Sequence, residues 1–128
     1  MSDSDQRKRP RVTTVVAQNK ASAGTYSAPN QNVEFANRHY ITVVIAPGST
    51  AGVFSIRAEP AGVGSVGSIG TTGFAKVEIE NVDIATATTM VWDVAGYFDA
   101  FALIIDTPIT GGSAPGVSAY VNSTILFG

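Results

Sequence analysis

His39 is the single histidine of this 128-residue chain and there are no cysteines, which together remove most of the chemistry such a chain could perform. A histidine-rich zinc site cannot be assembled, and no thiolate is present as nucleophile, metal ligand or disulfide partner. A serine nucleophile would need His39 as its base with a carboxylate behind it, and no Gly-x-Ser-x-Gly elbow occurs. A lone histidine in a strand is more often a packed or surface residue than a catalyst. Glu78 and Glu80 would lie about 7 Å apart on one face of a strand, close enough for paired carboxylates. They share that face with Lys76, and a solvated charged face is the simpler reading. Asp83, Asp93, Asp99 and Asp106 fall near strand ends, where acids usually serve turns and calcium is the rarer use. Trp92, Tyr97, Phe98 and Phe101 could floor a sugar site, but aromatics beside a buried strand are usually core. The glycines at 62, 64, 67, 70 and 73 are followed by Thr71-Thr72-Gly73-Phe74, without the Lys and helix that a phosphate cradle needs. No catalytic residue, cofactor-binding residue or metal ligand is therefore expected, and the chain reads as a non-enzyme.

The elements that would position these groups are strands. Residues 12–17 form a first β-rich run with Val12, Val15 and Val16 among threonines, suited to a sheet edge or to pairing with another subunit. Residues 18–32 read as loop with a short strand near 25–27, and residues 33–35 start a weak strand. In residues 39–46, His39, Ile41, Val43 and Ile45 share one face and Tyr40, Thr42 and Val44 the other. Residues 52–58 set Phe54, Ile56 and Ala58 against Val53, Ser55 and Arg57. After Pro60 the glycine-rich stretch reads as a long loop. Residues 74–80 alternate Ala75, Val77 and Ile79 with Lys76, Glu78 and Glu80, and Asn81-Val82-Asp83 is expected to turn the chain.

Met90, Trp92 and Val94 share a side of the next strand, residues 89–94. Residues 101–106 are too continuously apolar for a half-solvated strand, so this one is expected to be buried on much of both faces. Pro108, Gly111-Gly112 and Pro115-Gly116 supply the backbone angles of a reversal. Val117, Ala119 and Val121 then alternate with Ser118, Tyr120 and Asn122, and the strands flanking this turn are expected to pair as antiparallel neighbours. Six to nine strands with no helical periodicity give the expected fold: all-β, an antiparallel β-sandwich, jelly-roll-like, with an extended N-terminal arm.

Composition points to contacts with other subunits. Charged residues make up only 14% of the chain and hydrophobic residues 45%, against about 25% charged in an ordinary soluble domain. The charge is segregated. Arg7, Lys8, Arg9 and Arg11 are half of the eight basic residues, whereas positions 12–128 hold four basic and eight acidic ones. Residues 1–11 read as a basic arm, disordered until a partner orders it, and residues 12–128 as one domain. Four cations neutralise too few phosphates for tight nucleic-acid binding, so docking on a protein is the preferred use of the arm. Ile125, Leu126 and Phe127 form an apolar end that must pack in the core or on a partner. The candidate partner-binding residues are Arg7, Lys8, Arg9, Arg11, Val12, Val15, Ile125, Leu126 and Phe127. No apolar run approaches the 18 residues of a membrane span, and the polar start is not a secretory signal.

Val94-Ala95-Gly96-Tyr97, a strand, Thr107-Pro108-Ile109-Thr110-Gly111-Gly112-Ser113-Ala114-Pro115, and the alternating strand from Val117 to Val121 together resemble the C-terminal half of capsid decoration or cement proteins of tailed phages. The resemblance covers roughly the last 35 residues well. It departs where family members often carry an Arg after Gly-Tyr and this chain has Phe101, Leu103 and Ile105. It implies a virion structural protein made in the host cytoplasm. Such a protein sits on the capsid surface as a dimer or trimer and stabilises contacts between subunits of the major capsid protein. The alternative is a carbohydrate- or receptor-binding head-fibre or tail-fibre module, which exposed Trp92 and Tyr97 would favour.

Overall fold

A computed structural model describes residues 11–29, 36–60, 79–87 and 90–125. The expected strands at 33–35 and 74–78 and the glycine-rich loop lie outside them. The described residues form eight strands and no helix: β1 (Arg11–Lys20), β2 (Gly24–Pro29), β3 (Arg38–Ile45), β4 (Ala51–Pro60), β5 (Ile79–Asp83), β6 (Val91–Ala95), β7 (Phe98–Thr110) and β8 (Val117–Thr124). They make two four-stranded sheets, ordered β1-β8-β3-β6 and β2-β7-β4-β5. Every pairing is antiparallel, so the expected all-β, sandwich-like architecture is present.

Alternation builds the core between the sheets. Ile41, Val43, Val117, Ala119 and Val121 come from the first sheet, and Phe54, Ile56, Phe101, Leu103 and Ile105 from the second, each nearly or fully buried. Trp92 reaches across from β6 and meets Phe54 edge-on, with ring centroids 6.2 Å apart. β7 is buried on both faces as its composition demands. Phe101, Leu103 and Ile105 enter the core, while Ala100 and Ala102 on the opposite face are also fully buried.

Two turns differ from expectation. β7 and β8 are not neighbours, because β7 belongs to the second sheet and β8 to the first. Both sides of β7 are already taken, by β2 and β4. The connection at 111–116 therefore crosses the roughly 10 Å between sheets. It begins at Gly111, after β7 has run through Pro108. Gly111 has φ +112°, and a Cβ there would lie 2.6 Å from the Thr50 nitrogen and 2.7 Å from the Gly48 carbonyl oxygen, so the position requires glycine. The second difference is at Asn81. It takes φ +52° without ending its strand, because its N–H donates to Ser55 Oγ at 3.0 Å and the ladder resumes through Asp83. The turn follows at 84–86, where Asp83 Oδ1 accepts from the Ala85 N–H at 2.9 Å.

The pairing also sorts the ends of the molecule. Arg11, Thr124, Arg38 and Ala95 form one row across the first sheet, and Pro29, Ala100 and Glu59 one row across the second. Only Gly96 and Tyr97 separate Ala95 from Phe98, so both rows lie at the same end. Residues 1–10, 30–35 and 126–128 join the described chain there, as does residue 61 after β4, whereas residue 78 joins at Ile79, opposite Ile56 within the sheet.

Candidate functional site

His39 sits on the inner face of β3 with no exposed surface. Its Nε2 lies 2.8 Å from the Gly96 carbonyl oxygen and its Nδ1 2.8 Å from Ser123 Oγ. A carbonyl only accepts, so Nε2–H donates to Gly96 and Nδ1 accepts the Ser123 hydroxyl proton. Phe98 and Phe101 close on the ring edge-to-face, each at 5.3 Å. Burial holds the imidazole pKa below its usual value, offset in part by the Gly96 carbonyl. Both nitrogens are thus committed to tying β3 to β8 and to the corner after β6. Because the folded ring resists protonation while the unfolded one accepts a proton near pH 6.5, this contribution to stability is complete above that pH. It declines as pH falls toward the lower folded-state pKa. The melting temperature should therefore drop between pH 7 and 5.5, with a shallower dependence in His39→Gln. Equal slopes in the two proteins would contradict this assignment.

The acids and aromatics are similarly engaged. Glu80 lies 3.8 Å from Arg57, and Asp93 lies 3.1 Å from Arg38. Asp106 accepts from Ser55 Oγ at 2.7 Å, and Asp83 caps its turn. No group of three or more His, Asp or Glu able to hold a metal ion occurs among the described residues. Phe98 and Phe101 enclose His39 and Trp92 packs on the core, whereas Tyr97 is 54% exposed. Glu59 escaped the sequence reading. It is fully buried on the outer face of the second sheet, and neither carboxylate oxygen has a hydrogen-bond partner among the described residues. A Glu before a proline gives no sequence signal for this.

The surface with an unusual character is the outer face of the first sheet. Val15, Tyr120, Thr42 and Val91 stand in register across all four strands. Thr13, Asn122, Tyr40 and Asp93 form the next row, and Val44 and Ser118 extend the face beyond the first. Val15, Val44 and Val91 are 46%, 49% and 56% exposed, and Tyr40 38%. These are four of the five large hydrophobic side chains exposed among the described residues. The charge near these rows is Asp93, paired to Arg38. A solvated sheet face ordinarily alternates apolar-in with charged-out; here valine, tyrosine, threonine and asparagine hold most outward positions, and the Arg38–Asp93 ion pair sits at one end of them. At the end that carries Ala95, Tyr40, Asn122, Ser123 and Thr124 line a shallow depression of about 310 Å³.

Of the expected partner-binding residues, Val15 lies in this face. Val12 stands in the inward row with Ser123, half-buried. Arg11 is already the first residue of β1, opposite Thr124, and Ile125 is half-buried just beyond β8. Arg7, Lys8, Arg9, Leu126 and Phe127 lie outside the described residues. The sequence reading missed Tyr40, Val44, Val91 and Tyr120 as surface candidates. Their signal was present, since three strands carry valine or tyrosine at positions opposite the core face. Among the described residues, no helix is long and apolar enough to cross a membrane. Comparison with protein families, with curated proteins and with solved structures finds no match to the chain.

Proposed function

We propose that this protein is a virion structural protein, a decoration or cement protein that binds the outside of a phage head and stabilises contacts between capsid subunits without catalysing a reaction. The observation that carries the reading is the charge-poor outer face of the first sheet, with Val15, Val44, Val91 and Tyr40 exposed on it. Leaving several large apolar side chains in water on one face favours covering them with protein. Two further features support it. We read the order β1-β8-β3-β6 with β2-β7-β4-β5 as a jelly roll, an architecture common in viral capsid domains. The basic segment enters β1 at the end where three other stretches also join the described chain, which suits that end for attachment. On this reading the arm engages acidic surface of the major capsid protein.

Deleting residues 1–10 spares β1 and its pairing with β8. The truncated protein should keep its melting temperature and lose roughly tenfold or more in retention when co-sedimented with empty particles. Equal retention would argue against an anchoring arm, and no retention of the full chain would argue against the capsid role itself.

A second reading has its own observation. The depression beside Tyr40 and the exposure of Tyr97 suit a carbohydrate-binding fibre module, and jelly rolls also serve as lectins. The packing of half-buried Trp92 against Phe54 counts against it. Saturable glycan binding abolished by Tyr40→Ala would favour the module.

A further inference from the structure

We propose that the outer face of the first sheet closes a two-fold dimer of this chain, with the axis lying in the interface and running along the strands. Such an axis sets β1 over β6 of the second copy and β8 over β3, while keeping each row over itself.

The rows then match their own reverse. Val15, Tyr120, Thr42 and Val91 read almost the same in both directions, so Val15 of one copy faces Val91 of the other and Tyr120 faces the smaller Thr42. Large side chains opposite small ones let two layers interdigitate. In the next row Thr13 faces Asp93 and Asn122 faces Tyr40; the Thr13 hydroxyl already donates to Asn122 Oδ1 within its own chain, which leaves the Asn122 amide N–H groups to donate to the Tyr40 hydroxyl across the contact. Electrostatics permit the approach, since Asp93 is already paired with Arg38 at 3.1 Å and no charge of one copy is brought against a like charge of the other in these rows.

Size fits as well. Four strands about 4.8 Å apart, eight residues long at β3 and β8 and five at β6, give a projected face of about 400 Å². Counted on both copies this is on the order of 800 Å², the size of a weak, reversible contact below the ~1,200–2,000 Å² of a standard interface. The axis has one more consequence. It leaves both copies pointing the same way along the strands, so the two ends that carry residues 1–10 emerge side by side. A dimer of this kind attaches bivalently.

The inference rests on this face being a protein contact and not on what the protein assembles with. A dimer that ignores particles would leave it standing and sink the capsid reading, and a monomer that binds them would do the reverse. Sedimentation velocity of the full chain over about 1–100 μM should show a monomer–dimer equilibrium. Val15→Lys or Val91→Glu alone should raise the dissociation constant about 100-fold or more, while a one-to-one mixture recovers at least about tenfold, because the introduced opposite charges face each other only in the mixed dimer. Ser27→Glu, exposed on the other sheet, should change it less than about twofold. Melting curves taken alongside keep unfolding apart from dissociation. A monomer throughout the series, a mixture no tighter than its components, or equal disruption by Ser27→Glu would overturn the proposal.

Discussion

Phe101→Ala is expected to lower the free energy of unfolding by about 3–5 kcal/mol, among the largest single-residue effects on stability in the molecule. Phe101 is fully buried in β7, the strand that holds β2 and β4 together. Its ring meets His39 at 5.3 Å and Phe98 at 5.7 Å. Truncation therefore removes the apolar area and also opens a void beside the imidazole, whose hydrogen bonds to Gly96 and Ser123 depend on staying dry. Against a typical total of about 5–15 kcal/mol, a loss of this size consumes about a fifth or more of the stability. Phe101→Leu, which keeps most of the volume, should cost less than about 1.5 kcal/mol. Urea unfolding at constant slope measures both, and a loss below about 1 kcal/mol for the alanine variant would mean the ring is not where the core is centred.

The strands and their faces were largely legible because period-two alternation is a local property. His39, Ile41 and Val43 share one face and Tyr40, Thr42 and Val44 the other, as their order requires. The double burial of residues 101–105 followed from a run with no polar interruption. Partnership between strands was not legible. Glycine and proline after β7 announce a reversal, but whether the chain returns beside β7 or crosses to the other sheet depends on β2 and β4 having filled both its sides, which no local pattern encodes. Asn81 misled for a related reason. Its side chain and positive φ suit a turn, yet the Ser55 hydroxyl on β4 gives its N–H a partner and the strand continues.

The candidate site was legible only in part. Val15 stood out on a β-rich edge, whereas Tyr40, Val44, Val91 and Tyr120 become one surface only when β8 and β3 are placed side by side. Glu59 could not have been found, since its burial on an outward-facing position contradicts the alternation that places it there.

Val44→Glu combined with Val91→Glu is expected to weaken attachment to particles by about 10²–10⁴-fold while leaving the fold within about 0.5 kcal/mol of its original stability. Both valines are about half exposed in the single chain, so the carboxylates stay hydrated there and cost little. In the assembly each would be stripped of water without a partner, a penalty of about 3–5 kcal/mol for an uncompensated buried charge. With the two-fold contact gone, the paired arm-bearing ends separate and each chain holds on through one attachment instead of two. Co-sedimentation of the full chain and of this double variant with empty phage heads is the direct measurement. The account predicts that the unaltered chain pellets with the particles and the variant, folded by its melting curve, remains in the supernatant; equal pelleting of the two would show that the outer face of the first sheet takes no part in assembly.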